Sequence, residues 1–194
     1  MNIYFCGMIG SGKTSIGRGL ANELDLPYYD LDYEMDSILG YSFHRLVQEQ
    51  GWVVFRELEY SICKSFARRK NAVIGLGGGT IRYEWNRDAL RGSGVIILLH
   101  ASIPELVRRV SLADRPRVNP GTSIEEDIRI IWEKYRDRYE GSADIIYRTD
   151  QKTLEEEIQE LKHMVYTDPR FRELELPIGT GEKRTFRGGQ DDED

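Results

Sequence analysis

The run Gly7-Met8-Ile9-Gly10-Ser11-Gly12-Lys13-Thr14 meets the pattern G-x-x-x-x-G-K-[ST] at every fixed position. Its chemistry is phosphate binding. Glycines let backbone N–H groups turn inward around phosphate oxygens, and a helix starting within the loop adds partial positive charge at the same place. In such a loop Lys13 reaches the β- and γ-phosphates of a nucleotide and the Thr14 hydroxyl sits on Mg²⁺, with Gly10, Ser11, Gly12 and Ser15 completing the nucleotide-binding stretch. Asp30 and Asp32 stand two residues apart, a spacing that can aim one carboxylate at hydrated Mg²⁺ and the other at an acceptor hydroxyl; the same pair also suits plain helix capping. Arg56 has Glu59 three residues on, which reads either as a structural ion pair or as a guanidinium oriented for a carboxylate. Gly77-Gly78-Gly79 lets backbone approach a ligand closely. Arg115 lies in a proline-rich basic segment, a lid over 111–122, where it could stabilise charge on a transferring phosphoryl group. Of Arg108 and Arg109 just before it, Arg109 is preferred for stacking on a nucleotide base.

These residues require elements that bring them together. A strand over 2–6 leads into the loop, and a helix over 15–24 follows with Ile16, Leu20 and Leu24 on one face. A strand over 28–30 delivers Asp30 and Asp32 at its carboxyl end, where open α/β sheets bind ligands. Helices over 34–39 and 43–69, broken at 40–42 and Gly51, form an insertion of about residues 33–69, with Val54, Leu58, Ile62 and Phe66 on one apolar face. Strands over 72–76, 95–99 and 143–147 alternate with helices over 80–90, from 102 onward, over 124–139 and over 154–165. Thr80 reads as the cap of the first of these helices, and capping-box spacing opens the others at Ser102/Glu105, Ser123/Glu126 and Thr153/Glu156. Strict alternation of strand and helix implies a parallel sheet covered on both faces, a three-layer α/β sandwich. Residues 166–194 read as a charged, disordered tail that stays out of the core.

Composition narrows the class. With 194 residues, 40% hydrophobic and 31% charged, the chain reads as one globular domain. Its longest apolar run, over 95–99, is too short for a bilayer, and the N-terminus opens on a strand rather than a basic, apolar leader, so a cytoplasmic protein without membrane partners is expected. Cys6 and Cys63 have no metal or disulfide spacing and read as core packing. A net charge of −6 weighs against nucleic acid as a partner, and a monomer is expected.

Taken in order, the phosphate loop, Asp30-Leu31-Asp32, Phe55-Arg56-Glu57-Leu58-Glu59, Leu76-Gly77-Gly78-Gly79, Arg115-Pro116 and Tyr139-Glu140-Gly141-Ser142-Ala143-Asp144 resemble the shikimate kinases over residues 1–165. The resemblance implies a P-loop NTPase fold with strand order 2-3-1-4-5, a helical substrate-binding insertion and a mobile lid. It implies ATP and Mg²⁺, with transfer to the 3-hydroxyl of shikimate. It assigns Asp30 to Mg²⁺, Asp32 to the acceptor hydroxyl as anchor and base, Arg56 to the acceptor carboxylate with Glu59 orienting it, Gly77 to Gly79 to the acceptor, and Arg115 to closure over ATP. The family's second carboxylate-binding arginine is expected where Tyr135 stands, and Arg136 is the candidate to take its place. Two other readings stay open: a related kinase for another small hydroxylated acid, and a catalytically silent nucleotide-binding module.

Overall fold

Alternation within the strands sets the layers. In β1 (Asn2–Cys6), Tyr4 and Cys6 face one side of the sheet and Ile3 and Phe5 the other, all fully buried. The computed structural model describes residues 1–111, 119 and 121–177. Its strands are β1, β2 (Tyr28–Asp30), β3 (Val73–Gly75), β4 (Gly94–His100) and β5 (Ile145–Arg148), all parallel and ordered β2-β3-β1-β4-β5. Helices α1 (Lys13–Glu23), α2 (Leu31–Leu39), α3 (Phe43–Ala67), α4 (Glu84–Leu90), α5 (Ile103–Ser111), α6 (Ile124–Glu140) and α7 (Leu154–Thr167) complete the sandwich. One core unites Tyr4, Ile74 and Leu98 with Phe55 and Phe66 of α3 and Ile128 and Tyr139 of α6. The opposite core unites Phe5, Val73 and Ile97 with Leu20 of α1 and Leu161 and Val165 of α7. The three-layer arrangement and strand order agree with the sequence expectation.

Register is what positions the site. Phe5 of β1 and Asp30 of β2 both pair with Gly75 of β3, so the three adjacent strands reach the same level. The phosphate loop, the start of α2 and the Gly77–Gly79 turn therefore leave one sheet edge side by side, at the strand carboxyl ends. Both cysteines are buried core thiols, and desolvation pushes that of Cys6 up to about 12, partly opposed by Lys13.

Four expectations need correction. Helix α2 starts at Leu31 rather than 34, so Asp32 lies in its first turn. The segment 80–90 is interrupted: a 3₁₀ turn over Thr80–Arg82 gives way at Tyr83, with φ −104° and ψ 124°, before α4 begins. The Thr80 hydroxyl caps nothing and instead donates to Glu59. At Ser102 the reciprocal capping box is absent: the Ser102 N–H donates to Asp150 and Glu105 binds Arg108 and Arg109, while the boxes at Ser123/Glu126 and Thr153/Glu156 do form.

The tail boundary also moves. Phe171 and Leu174 are fully buried in the α1/α7 core beyond a 3₁₀ turn over Pro169–Phe171, Asn71 bonds Glu175, and Arg170 pairs with Asp168 and donates to the Asp144 carbonyl. Burial of each apolar side chain is worth about 1.5–3 kcal/mol, enough to hold this short extension in place. Pattern reading missed it because Phe171 and Leu174 sit singly among Arg170, Arg172, Glu173 and Glu175, without periodicity. Residues 178–194 and the greater part of the lid candidate, Arg115 included, lie outside the described residues.

Candidate active site

The phosphate loop joins β1 to α1 in the backbone its glycines allow. Gly10 and Gly12 have φ of 79° and 96°, left-handed values that a side chain would strain. Ser11 is fully buried and its hydroxyl has no partner among the described residues. Lys13 Nζ donates to the carbonyls of Gly7 and Met8, both at 2.9 Å, so the cation lies folded across the loop it would leave to meet a phosphate. The Thr14 hydroxyl donates to Asp30 Oδ2 at 3.1 Å, and Tyr28 OH donates to the same oxygen at 3.0 Å. The other oxygen of Asp30 caps α2 through the N–H groups of Asp32 and Tyr33. Capping and site chemistry thus use different oxygens of one carboxylate. Burial, and then the charge of Asp30, raise the Tyr28 pKa and keep that hydroxyl a donor. Thr14 and Asp30 present two hard oxygens at a helix N-terminus, a donor set for a divalent cation that takes its other ligands from phosphate and water.

The glycine turn after β3 serves as a ruler for the acceptor side. A Cβ built on Gly77 would lie 2.9 Å from Asp32 Oδ1, one on Gly78 would lie 3.9 Å from the Ile9 N–H nitrogen in the phosphate loop, and one on Gly79 would lie 3.4 Å from Arg56 Nη2. Three glycines therefore abut a carboxylate, the phosphate loop and a guanidinium in turn. Side chains at Gly77 or Gly79 would crowd the space between Asp32 and Arg56.

Arg56 is held from several sides. Its Nη1 bonds Glu59 at 2.8 Å, and its guanidinium lies 4.4 Å from the Tyr83 ring centroid, 4.6 Å from that of Phe55 and 5.3 Å from that of Trp52. Glu59 is 1% exposed and accepts from Thr80 and Asn86 as well, at 2.8 and 3.0 Å. Asn86, itself fully buried, also donates to the Thr80 carbonyl and so ties α4 to the turn. A buried carboxylate with three donors is what an aimed arginine requires, because a lone buried charge would be strongly penalised. Behind the turn, Tyr139 OH donates to the Gly78 carbonyl at 2.5 Å and accepts from Arg82 Nε at 2.9 Å. Burial raises the Tyr139 pKa, partly opposed by Arg82, which keeps the hydroxyl protonated for that bond.

One predicted residue is placed differently from expectation. Arg136 points outward, its side chain 59% exposed and paired with Glu140 at 3.0 Å, on the face of α6 away from the turn. Its neighbour Tyr135 is the residue that faces the site, with the Arg82 guanidinium 4.8 Å from its ring centroid. A shift of one residue turns a helical side chain through about 100°, and that rotation separates the two. Arg109 does reach the phosphate loop, its Nη1 within 3.5 Å of the Gly10 carbonyl, yet its donors are engaged by Glu105 and Thr149. Hydrogen bonds from Arg108, and then from Arg109, hold the Glu105 carboxyl down to about 2. Arg82, Asn86 and Tyr28 went unremarked in the sequence. Only Tyr28, two residues before Asp30 on the same strand face, carried a usable signal there.

The family model for shikimate kinase matches residues 9–166. A shikimate kinase of Chlorobium luteolum is 34% identical over 171 residues, covering 84% of this chain and 84% of that protein. The chain belongs to the shikimate kinase family. Among solved structures, the shikimate kinase of Acinetobacter baumannii in complex with shikimate superposes with a TM-score of 0.78 at 27% identity, covering 84% of this chain and 92% of that one. The shikimate kinase of Aquifex aeolicus gives 0.71 at 28% identity, covering 83% and 94%. Fold and family together make the chain an ATP-using phosphotransferase acting on a hydroxyl of shikimate, and the shared fold is that of P-loop NTPases.

Proposed function

We infer that the chain moves the γ-phosphoryl group of ATP to the 3-hydroxyl of shikimate at the glycine turn, with Asp32 at the hydroxyl and Arg56 at the carboxylate. The observation that carries this reading is the ruler itself: Gly77 against Asp32, Gly78 against the phosphate loop, Gly79 against Arg56. An acceptor with a hydroxyl at one end and a carboxylate at the other fits that spacing. ATP lies along the loop from Gly10 to Ser15, with Arg109 beside the base. Lys13 exchanges the Gly7 and Met8 carbonyls for phosphate oxygens, and its charge follows the transferring group. Asp32 orients the hydroxyl and takes its proton as the new P–O bond forms. Glu59 and Asn86 fix Arg56, so the acceptor meets a guanidinium already in position and loses little ordering entropy on binding. Thr14 and Asp30 would hold Mg²⁺, which supplies charge neutralisation at the β- and γ-phosphates when bound with ATP. Arg115 is assigned to the same charge by its Arg-Pro motif.

Composition and fold support a monomer working in the cytoplasm, with small molecules as partners. Among the described residues, no helix is long and apolar enough to cross a membrane. A coupled ADP-release assay over shikimate, other small hydroxy acids and nucleoside monophosphates tests the reading. Turnover with shikimate well above the rest is expected, with the product carrying phosphate on the 3-oxygen by NMR. Turnover with another acceptor and none with shikimate would overturn it.

A further inference from the structure

With Arg136 turned to solvent, the acceptor end of the site would hold one guanidinium, Arg56, whose charge Glu59 already balances. A second guanidinium stands beside it. A Cβ built on Gly79 would lie 3.8 Å from Arg82 Nη1 and 3.6 Å from Arg56 Nη1, so both arginines border the same point on the turn. Arg82 is half-buried, and among the described residues no carboxylate lies within ion-pair distance of it. Neutral groups hold its side chain instead, and another arginine meets its backbone. Its Nε donates to Tyr139 OH, its guanidinium lies over the Tyr135 ring at 4.8 Å and near that of Tyr139 at 5.7 Å, and Arg138 Nη1 donates to its backbone carbonyl at 2.6 Å. Two guanidiniums bordering one glycine, with a single carboxylate between them, leave an uncompensated positive charge where Gly79 opens the surface. Such a charge is relieved by an anion that accepts from both.

We propose that Arg82 is the second carboxylate-binding residue for the acceptor, occupying from the 3₁₀ turn the role the sequence suggested for Arg136 on α6. The Tyr139 hydroxyl positions it by taking Nε, which leaves the terminal nitrogens for a carboxylate gripped on its other side by Arg56. Tyr135 completes the arrangement, since the aromatic face in that helical position is what Arg82 lies over. This rests on the reading of the acceptor given above, and the test separates the two.

The wild-type enzyme, Arg82→Gln and Arg82→Lys are assayed with shikimate and with its neutral carboxamide, at saturating ATP. Loss of one charge-assisted contact predicts a KM for shikimate raised roughly 10- to 100-fold in Arg82→Gln, with the KM for ATP within about twofold of wild type. Arg82→Lys, which keeps the charge but loses the planar fork, is expected to fall between. With the carboxamide, where no carboxylate remains to be bound, the penalty of either variant should shrink to about threefold or less. Equal penalties on acid and amide would mean a merely structural Arg82 and would overturn the proposal, as would an unchanged KM for shikimate. Should Arg82→Gln not fold by circular dichroism, the acid-to-amide ratio in Arg82→Lys decides alone. If the wild type itself ignores shikimate, the assigned acceptor fails, which is a different outcome from a wild type that turns over shikimate and an Arg82 variant that does so equally well.

Discussion

The donor and acceptor halves of this site are built by opposite means. The donor half is backbone: one contiguous loop whose N–H groups, helix end and two nearby oxygens, Thr14 and Asp30, sit within a few residues of strand ends. The acceptor half is side chain: Glu59 on α3 receives Arg56, Thr80 and Asn86, while Tyr139 on α6 links Arg82 to the Gly78 carbonyl. The difference follows from what each half recognises. A phosphate is a symmetric anion that any convergent set of N–H groups satisfies, whereas a hydroxy acid must be measured from end to end. Measurement needs side chains held by other side chains, and that support is buried. Chemistry and stability should therefore separate at the hydroxyl end and coincide at the carboxylate end.

The largest expected effect falls on chemistry alone. Asp32→Asn should lower kcat by about 10²- to 10⁴-fold, the span of a general base, while leaving the affinity for ATP within about twofold. Asp32 lies half-exposed in the first turn of α2, so the melting temperature should hold. Isothermal titration with ATP beside a steady-state assay reads both. A variant that keeps turnover would make the hydroxyl end mere scaffolding.

At the carboxylate end the two should fall together. Glu59→Ala leaves Arg56 without its counter-charge and Thr80 and Asn86 without their acceptor, in a site where Glu59 is 1% exposed. Breaking a buried pair from one side costs about 3–5 kcal/mol, and the 18% exposure of Arg56 favours the lower figure. Thermal unfolding should shift down by roughly 6–12 °C, with a raised KM for the acceptor in the protein that remains folded. A variant that loses acceptor affinity at an unchanged melting temperature would show that Arg56 is aimed without its buried support, and the contrast between the halves would weaken.

The same contrast governs what could be read before the structure. Gly7 to Thr14, Asp30 and the Gly77–Gly79 turn were legible because each is a local pattern next to a strand end, and parallel register then forces them together. Arg56 and Glu59 were legible as a spacing of three on a helix. Arg82 and Asn86 were not, since their partners Tyr139 and Glu59 lie 57 and 27 residues away and nothing local marks the pairing. The break at Tyr83 hid them further: read as one continuous helix from Thr80, the segment would set both residues on wrong faces. Phe171 and Leu174 failed for the related reason that two apolar residues without a period resemble a solvated tail until the α1/α7 core is seen beside them.

The smallest expected effect is the sharpest test of how the acceptor half is assembled. Arg136 is the arginine that motif order offers, yet among the described residues its guanidinium pairs only with Glu140, four residues on and along the same exposed helix face. Exposed pairs of this kind are worth about 0.3–0.5 kcal/mol, so Arg136→Ala should move the melting temperature by no more than about 2 °C. Because the side chain points away from Gly79, the KM for shikimate should stay within about twofold of wild type. A rise of tenfold or more would mean that α6 turns or shifts when the acceptor binds, bringing Arg136 inward past Tyr135 and displacing Arg82 from the ring it lies over. The carboxylate end would then be assembled by closure rather than built in advance, and the buried support around Glu59 would be half of a clamp whose other half arrives with the substrate.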